Sequence, residues 1–345
     1  MTEILSHREK KVLKYIVENF IISALPVGSR SISKQTDMKV SSATIRNVMS
    51  DLEDMDLLST PHTSAGRVPT DKGYRYYVDT LMNKKSLNEK EINFLKSKIK
   101  DKKSKVIEND ELYIETSRIL GKITHQLSIV TQPFLISGIF KKLELINLSS
   151  NKILVVISIK SGFVRTVIME IDSVISRTEL DKLTGFLNEK LQGLTLKEIR
   201  ETFTERVKDY DTQKPELVKL FVNSIDKLYS EEEKGGRIYI AGTGEIILQP
   251  EFDDPQNFKK IVELAEDKDL VVQVFQNTGG DDTISISIGA ENTEKKLKDY
   301  SVVCTTYNFG DVKGNIGIIG PKRMNYAKMI SLLDYTSKLI TDLNS

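Results

Sequence analysis

Cysteine and histidine are scarce in this 345-residue chain, which has one cysteine, Cys304, and three histidines, His7, His62 and His125. A single cysteine excludes a disulfide within the chain and suits a reducing cytoplasm, where we expect the protein to act. Cys304 lies in a strand-like run, so we interpret it as a small buried hydrophobic residue rather than a nucleophile. The scattered histidines have no metal-ligand spacing and no Ser/His/Asp order, so we predict no metal site, no catalytic residue and no enzyme activity.

Long apolar runs are also missing. No run approaches the roughly 18 residues that a membrane-spanning helix needs, and the charged first 14 residues lack the apolar segment of a secretory signal. Hydrophobic residues make up 39% and charged residues 29% of the chain, which is ordinary for globular protein. We therefore expect a globular protein of two or three domains with no membrane partner.

Two glycine patterns match nucleotide-binding loops only in part. Gly242-Thr-Gly244 follows a predicted strand at 237–240, but Ile247 occupies the third glycine position of a dinucleotide fingerprint. The glycines at 314, 317 and 320 lack the Lys-Ser/Thr pair of a phosphate-binding loop. We interpret these glycines as turns and close backbone contacts, and predict no cofactor.

Charge is distributed unevenly along the chain. The net charge is +1, but residues 1–105 carry 20 Lys and Arg against 13 Asp and Glu, whereas residues 106–345 carry 30 against 36. A basic N-terminal third suits binding to a polyanion. A solvated, lysine-rich helix over 84–105 explains the same excess equally well, so charge alone leaves both readings open.

The N-terminal third predicts three helices. Ser6 and Glu9 have capping-box spacing at the start of the first, which Leu25-Pro-Val-Gly28 ends. A short second helix is expected from about 29 to 37, with Ile32 facing inward. The third begins at Ser41 or Ser42 and carries an apolar stripe made of Ile45, Val48, Met49, Leu52 and Met55.

The opposite face of the third helix carries short or fork-shaped polar side chains near the helix N-terminus. Arginine can bind guanine edges and asparagine adenine edges, while the helix amides face phosphates. The acidic residues of this helix lie at its far end, away from DNA. Our candidate DNA-binding residues are Ser41, Ser42, Ala43, Thr44, Arg46, Asn47 and Ser50, together with Arg30, Lys39 and Arg67.

A hairpin is predicted after the third helix. Two short strands flank the turn-rich segment 62–66, and we place Arg67 at the tip, where it could enter the minor groove or bind a phosphate. Thr70 then caps a helix whose Tyr74 and Tyr77 are expected to pack rather than to stack on bases. These elements predict a winged helix-turn-helix, although protein-interaction modules can have the same pattern.

Four segments carry a family resemblance: Leu25-Pro-Val-Gly-Ser, the run from Ser42 to Glu53, the run from His62 to Asp79, and the run from Gly314 to Tyr326. With them the chain resembles the HrcA-type heat-inducible transcription repressors of bacteria. The segments lie near opposite ends, so the resemblance spans nearly the whole chain, although 175–275 is weakly patterned. Lys322 stands where the family often has threonine.

The resemblance implies a repressor of chaperone operons of the groE and dnaK types. Such a repressor acts as a homodimer on an inverted-repeat operator in double-stranded DNA, and the GroE chaperonin helps to keep it active. Heat would occupy the chaperonin with unfolded proteins and so release the operator. The resemblance also implies a GAF-like α+β domain that a dimerising insertion interrupts.

The remaining sequence alternates between helix and strand patterns. We predict a helix at 111–127, an antiparallel meander at 142–171, and helices that carry a leucine stripe from 180, a capping box at Thr195 and a start at Pro215. Strands are expected at 283–288, 300–307 and 314–319, before a last amphipathic helix that runs to about 343.

We therefore expect an α+β protein with a winged-helix domain at 1–82 and a lysine-rich helical linker at 83–110. A GAF-like domain follows in two segments, 111–172 and 276–345, around a mainly helical inserted dimerisation subdomain at 173–275. One alternative is a metabolite-gated transcription regulator whose GAF-like domain senses a small ligand. Another is an enzyme with an accessory winged helix, which the lack of a catalytic constellation disfavours.

Overall fold

The computed structural model describes residues 5–35, 40–61, 66–83, 85–100, 110–171, 175–207, 237–278 and 283–343, with the isolated positions 223 and 226. Within them the chain is a mixed α+β protein. Lys39, the hairpin residues 62–65 and the helix predicted from Pro215 lie outside the described residues. We name residues 5–82 the head and residues 110–343 the body.

The head contains four helices and a small sheet. Its elements in chain order are α1 (His7–Ser23), α2 (Ser29–Gln35), α3 (Ser42–Asp54), β1 (Leu58–Ser59), β2 (Val68–Pro69) and α4 (Asp71–Tyr76), which continues as a π-helical turn through Leu81. The predicted capping box of α1 is confirmed, because Ser6 and Glu9 exchange side-chain and backbone hydrogen bonds.

The predicted apolar stripe of α3 forms the centre of the head. Its first four residues are buried, and Met55 is half-buried. They pack with α1 and with Ile32 of α2, which is fully buried. Burying such a side chain contributes about 1.5–3 kcal/mol relative to exposure, so the stripe fixes which face of α3 points outward. Tyr74 and Tyr77 are also buried, which confirms their predicted packing role.

A five-stranded antiparallel sheet organises the body. Its strands, in spatial order, are β7 (Ile238–Ala241), β3 (Leu127–Thr131), β10 (Val312–Pro321), β9 (Tyr300–Phe309) and β8 (Ser285–Ile288). Buried residues of α6 (Glu111–Thr124) and α12 (Tyr326–Asp342) belong to the core on one face. The core on the other face includes α9 (Thr243–Ile246), α10 (Pro255–Glu266) and α11 (Lys268–Thr278).

A separate three-stranded sheet confirms the predicted meander. It pairs β4 (Phe140–Ser149), β5 (Lys152–Ile159) and β6 (Val164–Glu170) in chain order. One face packs on α7 (Arg177–Leu191), whose leucine stripe is buried, and α8 (Leu196–Arg206) follows with the predicted capping box. The other face of this sheet is largely exposed.

Two predictions about the body need correction. The helix predicted at 111–127 ends at Thr124, because His125 adopts a left-handed conformation (φ 53°) and donates its N–H to Gly121. Residues Leu127–Thr131 form β3. The sequence did not indicate this strand, because all five residues are buried and no alternation of polar and apolar residues marks them. The two helices α10 and α11 were not predicted either.

Hydrogen bonding groups the strands differently from the expected domain boundaries. The boundary expected at 172 separates β6 from α7, although α7 packs on β4 of the same sheet. The boundary expected at 275 falls inside α11. Residues 238–241, expected in the insertion, pair with β3 in the five-stranded sheet.

The described part of the lysine-rich linker contains a helix that packs on the body. Its helix α5 (Glu89–Lys100) buries Leu95 and Ile99 and contacts α6 and α12. Glu91 of this helix pairs with Lys328 of α12 at 3.2 Å.

Candidate nucleic-acid interface

The start of α3 is fixed by its own side chains. Ser41 is the N-cap residue, and its Oγ accepts a hydrogen bond from the N–H of Thr44 at 3.1 Å and lies 3.0 Å from the Thr44 hydroxyl. Such a cap satisfies one of the free amides at a helix N-terminus. Ser41 and Thr44 therefore hold the end of the helix in shape, and both remain near its surface.

The exposed face of α3 carries half of the predicted DNA-binding residues. Ala43, Arg46, Asn47 and Ser50 are exposed, and Ser42 is half-buried. Their spacing of three and four residues places them on one side of the helix. Arg46 and Asn47 have no hydrogen bond or ion pair with another described residue, so both donor groups face outward. Arg30, the second residue of α2, is also exposed.

Arg67 lies at the end of the hairpin loop, directly before β2, and its side chain is held against the head instead of projecting at the tip as predicted. Its backbone forms two hydrogen bonds with Val27, in the segment between α1 and α2. Its guanidinium binds Glu53 of α3, with both Nε and Nη2 at 2.8 Å from Oε2. Backbone pairing and the ion pair together hold this side chain against the head.

Glu53 is the functional residue that the sequence reading missed. One carboxylate oxygen binds Arg67 beside β2, and the other accepts a hydrogen bond from Thr60, just after β1, at 2.6 Å. A single side chain of α3 thereby connects both legs of the hairpin to the helix. Nothing in the sequence distinguishes Glu53 from the neighbouring acidic residues, because its partners are seven and 14 positions away.

Two glycines allow the hairpin to pack closely on the head. A Cβ at Gly66 would lie 2.8 Å from the backbone of Pro26, and one at Gly73 would lie 2.0 Å from the carbonyl oxygen of Leu57. Both distances are shorter than real Cβ contacts. Glycine at these two positions therefore lets the hairpin and α4 rest directly on the neighbouring backbone.

Charged residues are distributed unevenly along α3. Cationic and neutral donors occupy its N-terminal half, and Asp51, Glu53 and Asp54 occupy its C-terminal end. The helix dipole adds partial positive charge at the N-terminal end. This end suits contact with an anionic groove, and nothing in its composition suits acid–base or nucleophilic chemistry.

The part of the chain that the structure describes shows neither a cluster of metal ligands nor a membrane-spanning helix. No group of three or more His, Cys, Asp or Glu side chains there could hold a metal ion. No helix there combines the length and the apolar character needed to cross a membrane. Cys304 is buried in β9, as predicted.

Comparison with known proteins assigns the family. The model of the HrcA protein C terminal domain matches residues 110–330. A curated relative from Chlorobium phaeobacteroides (strain BS1), named heat-inducible transcription repressor HrcA, is 42% identical over 339 residues, which cover 96% of each chain. Another of that name, from Prosthecochloris aestuarii, is 41% identical over 96% of this chain and 95% of its own.

A solved structure supports the fold. It is described only as that of a hypothetical protein at 2.2 Å resolution, and it aligns with 99% of this chain and 100% of its own at a TM-score of 0.57 and 22% identity. The resemblance read from the four sequence segments is thus confirmed over almost the full length. The chain belongs to the HrcA family.

Proposed function

We propose that the protein is a dimeric transcription repressor of heat-shock chaperone operons of the groE and dnaK types. It binds an inverted-repeat operator through the head of each subunit. The observation that carries the proposal is the outward polar face of α3, whose opposite face is buried and whose N-terminal end carries arginine and asparagine. The names of the relatives supply the heat-shock context.

In this proposal the head is a winged helix-turn-helix. α3 is the recognition helix, with Ser42, Ala43, Arg46, Asn47 and Ser50 toward the base edges of the major groove. Ser41 and Thr44 shape the helix end that faces the phosphates, and Arg30 supplies charge beside it. Lys39, which lies outside the described residues, remains a proposed DNA-binding residue. Arg67 could reach DNA only by leaving Glu53, so we assign it to holding the hairpin, which serves as the wing.

The exposed face of the three-stranded sheet is the proposed dimer interface. Ile146, Leu154 and Ile168 form one cross-strand row, because Leu154 pairs with Ile146 on one side and with Ile168 on the other. Ile146 and Ile168 are about half exposed, as are Leu148 and Val164. Several exposed apolar residues on one face of a sheet commonly mark a protein contact.

The sheet grouping also suggests new domain boundaries. We propose a GAF-like body made of the five-stranded sheet and the helices on its two faces. The inserted dimerisation subdomain would then begin near Ile139, after β3, and end before β7 at 238, instead of covering 173–275. This division keeps every hydrogen-bonded strand with its partners.

Folding state is the proposed regulator. A repressor that needs chaperonin assistance loses activity when heat fills the chaperonin with other unfolded proteins. The experiment is a gel shift of the purified protein on the region upstream of its own chaperone operon, at fixed salt, with and without GroE chaperonin. We expect a shift that only the inverted repeat competes and that chaperonin strengthens. Absence of any specific shift would contradict the proposal, and specific binding indifferent to chaperonin would contradict the folding-gated part.

A cavity supports a second candidate, regulation by a small ligand. It has a volume of ≈ 410 Å³ and lies between the C-terminal end of α1, with Ile21 and Ile22, and body residues that include Gln126, Arg323 and Lys328. A ligand there would touch both head and body. A thermal-shift screen with nucleotides and amino acids tests it, because a ligand specific for the native state raises the melting temperature.

A further inference from the structure

Helix α4 attaches the head to the body through Arg75. The guanidinium Nε lies 2.8 Å from Oε1 of Glu291, and Nη2 lies 2.5 Å from Oε2. Nη2 also donates to the carbonyl of Ile286, the second residue of β8, at 2.7 Å. A fork-shaped cation bound to both carboxylate oxygens resists rotation as well as separation.

Asp71, one turn earlier on α4, makes the second attachment. One of its oxygens lies 2.6 Å from the ammonium of Lys322, at the end of β10, and the other accepts the N–H of Ala290 at 2.9 Å. The adjoining Gly289 has a positive φ of 54°, and a Cβ there would lie 2.0 Å from Asp71 Oδ2. Only glycine lets the body backbone come this close to the aspartate.

Arg323 makes a third attachment at a different helix. Its Nη1 donates to the carbonyl of Ile21 in the last turn of α1 at 2.5 Å, while Nε and Nη2 bind Glu251 of the body at 2.6 and 3.0 Å. Its side chain is only 11% exposed. Because α1 and α4 are held at separate points, the head has a fixed orientation on the body.

None of these attachments uses the outward face of α3. Arg46 and Asn47 remain exposed while α4 and the end of α1 are bound to the body. The contact therefore restrains the direction in which the recognition face points without covering it. In a dimer held together by the body, such a restraint fixes the separation and angle of the two recognition faces.

We infer that the Arg75–Glu291 and Asp71–Lys322 contacts determine which half-site separation the protein accepts on DNA. The inference rests on the proposed function. These four residues are positioning residues, since they act through the head and do not touch DNA. A rigid head–body contact gives high effective concentration of the second head at one spacing and almost none at others, whereas a freely rotating head tolerates many.

The test compares the full-length protein with Arg75→Met and Glu291→Gln. Glutamine keeps an acceptor for the N–H of Ile288, which Glu291 binds at 2.8 Å, and removes the charge that binds Arg75. Arg118→Met is the matched control, because among the described residues this exposed arginine of α6 has only a 4.0 Å pair with Glu115. Affinities are measured at one salt concentration for duplexes with two inverted half-sites, the separation being changed one base pair at a time.

We expect the unmodified protein and Arg118→Met to show a periodic profile, with a best spacing that recurs after about 10 base pairs and a peak-to-trough ratio of at least about tenfold. Arg75→Met and Glu291→Gln should flatten that ratio to about threefold or less, with unchanged affinity for a single half-site. Combining Arg75→Glu with Glu291→Arg should restore part of the profile. Sedimentation and thermal melting confirm that each variant is a folded dimer.

The outcomes separate the two levels of the argument. If the unmodified protein binds none of the duplexes specifically, the proposed function itself fails. If it gives the periodic profile and both variants reproduce that profile, the inference is overturned while the proposed function stands. A parallel loss of single half-site affinity would also overturn it, because the residues would then act within the head.

Discussion

The exposed face of α3 and the exposed face of the three-stranded sheet are opposites in chemistry. Arg46 and Asn47 offer hydrogen-bond donors without described partners, whereas Ile146 and Ile168 offer apolar surface. Both faces lie on elements whose other side is firmly buried. Each is therefore a feature of the folded state, and we propose a different partner for each: a polyanion for the first and an apolar protein surface for the second.

The two faces also differ in how they are held. The polar face lies on a head that side chains attach to the body, and the single carboxylate of Glu53 holds both legs of the hairpin. The apolar face sits on a sheet whose backbone hydrogen bonds run the length of three strands. Point substitutions should therefore change the orientation of the polar face easily. They should change the shape of the apolar face only with difficulty.

The largest effect is expected from Ile168→Asp in the centre of the apolar row. A carboxylate there would be desolvated without a partner in the proposed dimer, which costs several kcal/mol, so the protein should become a monomer at micromolar concentration. Sedimentation measures this, and operator affinity should fall with it. Leu248→Asp is the control, because Leu248 is an exposed apolar residue outside the three-stranded sheet, and this variant should remain dimeric. A dimeric Ile168→Asp would remove the sheet from the interface.

Arg46→Ala and Asn47→Ala test the polar face. Each should weaken operator binding by about 1–3 kcal/mol and relax preference for the base it reads, with no change in dimerisation. Binding is measured on the operator and on single-base variants at one salt concentration. Arg118→Ala, an exposed arginine of the body, should bind as the unmodified protein does. Equal binding by all three variants would contradict the groove assignment.

Glu53→Gln tests the contribution of the proposed wing separately from that of the proposed recognition helix. Loss of the charge that binds Arg67 and Thr60 should lower the free energy of unfolding by about 1 kcal/mol, since the pair is only partly buried. Operator affinity should fall with similar effect on all sequences, because the wing is displaced and the base-reading residues are intact. Asp54→Asn, an exposed neighbour, is the control in urea melts and gel shifts. If Glu53→Gln binds the operator with unchanged affinity, the Glu53–Arg67 ion pair is not needed for DNA binding.

The smallest effect concerns the buried side of the head. Burial, with Glu18 adding to it, raises the pKa of Tyr77 to about 12, so its neutral form is favoured in the folded state. The contribution is present below pH 10 and is lost as the pH rises toward 12, because the unfolded tyrosine ionises near 10.

Urea unfolding at pH 8 and pH 11 measures this effect. The unmodified protein should lose about 1 kcal/mol more than Tyr77→Phe between the two pH values. Tyr76→Phe, the half-buried neighbour, should lose nearly as much as the unmodified protein. Equal losses in all three proteins would show that Tyr77 does not titrate in this range.

Local patterns in the sequence were sufficient to predict α1 and α3 of the head. A hydroxyl three residues before a glutamate marked the start of α1, and an apolar stripe marked the buried side of α3, because caps and periodicity act within a few residues. The polar face then followed as the remainder of the helix. The meander was equally legible, since its strands are consecutive.

Features that depend on distant partners were not predictable. β3 has no alternation of polar and apolar residues because it is buried on both faces. Its neighbours in the sheet, β7 and β10, both lie far along the sequence from it. Arg67 was misplaced because its guanidinium binds Glu53, 14 positions earlier. The partner of Arg75 is 216 positions away, so no sequence pattern indicates that contact.

The pairing of β3 with β10 has a consequence for how the chain reaches its active form. Thr131 and Asn315, which hydrogen-bond across these strands, are 184 positions apart. Pairing over so long a loop is slow, and β3 leaves the ribosome well before its central partner β10. Until then β3 has an unpaired edge and apolar faces exposed to other proteins. The head, whose contacts are mostly local, can fold first, so α3 can form before the body to which the head is attached.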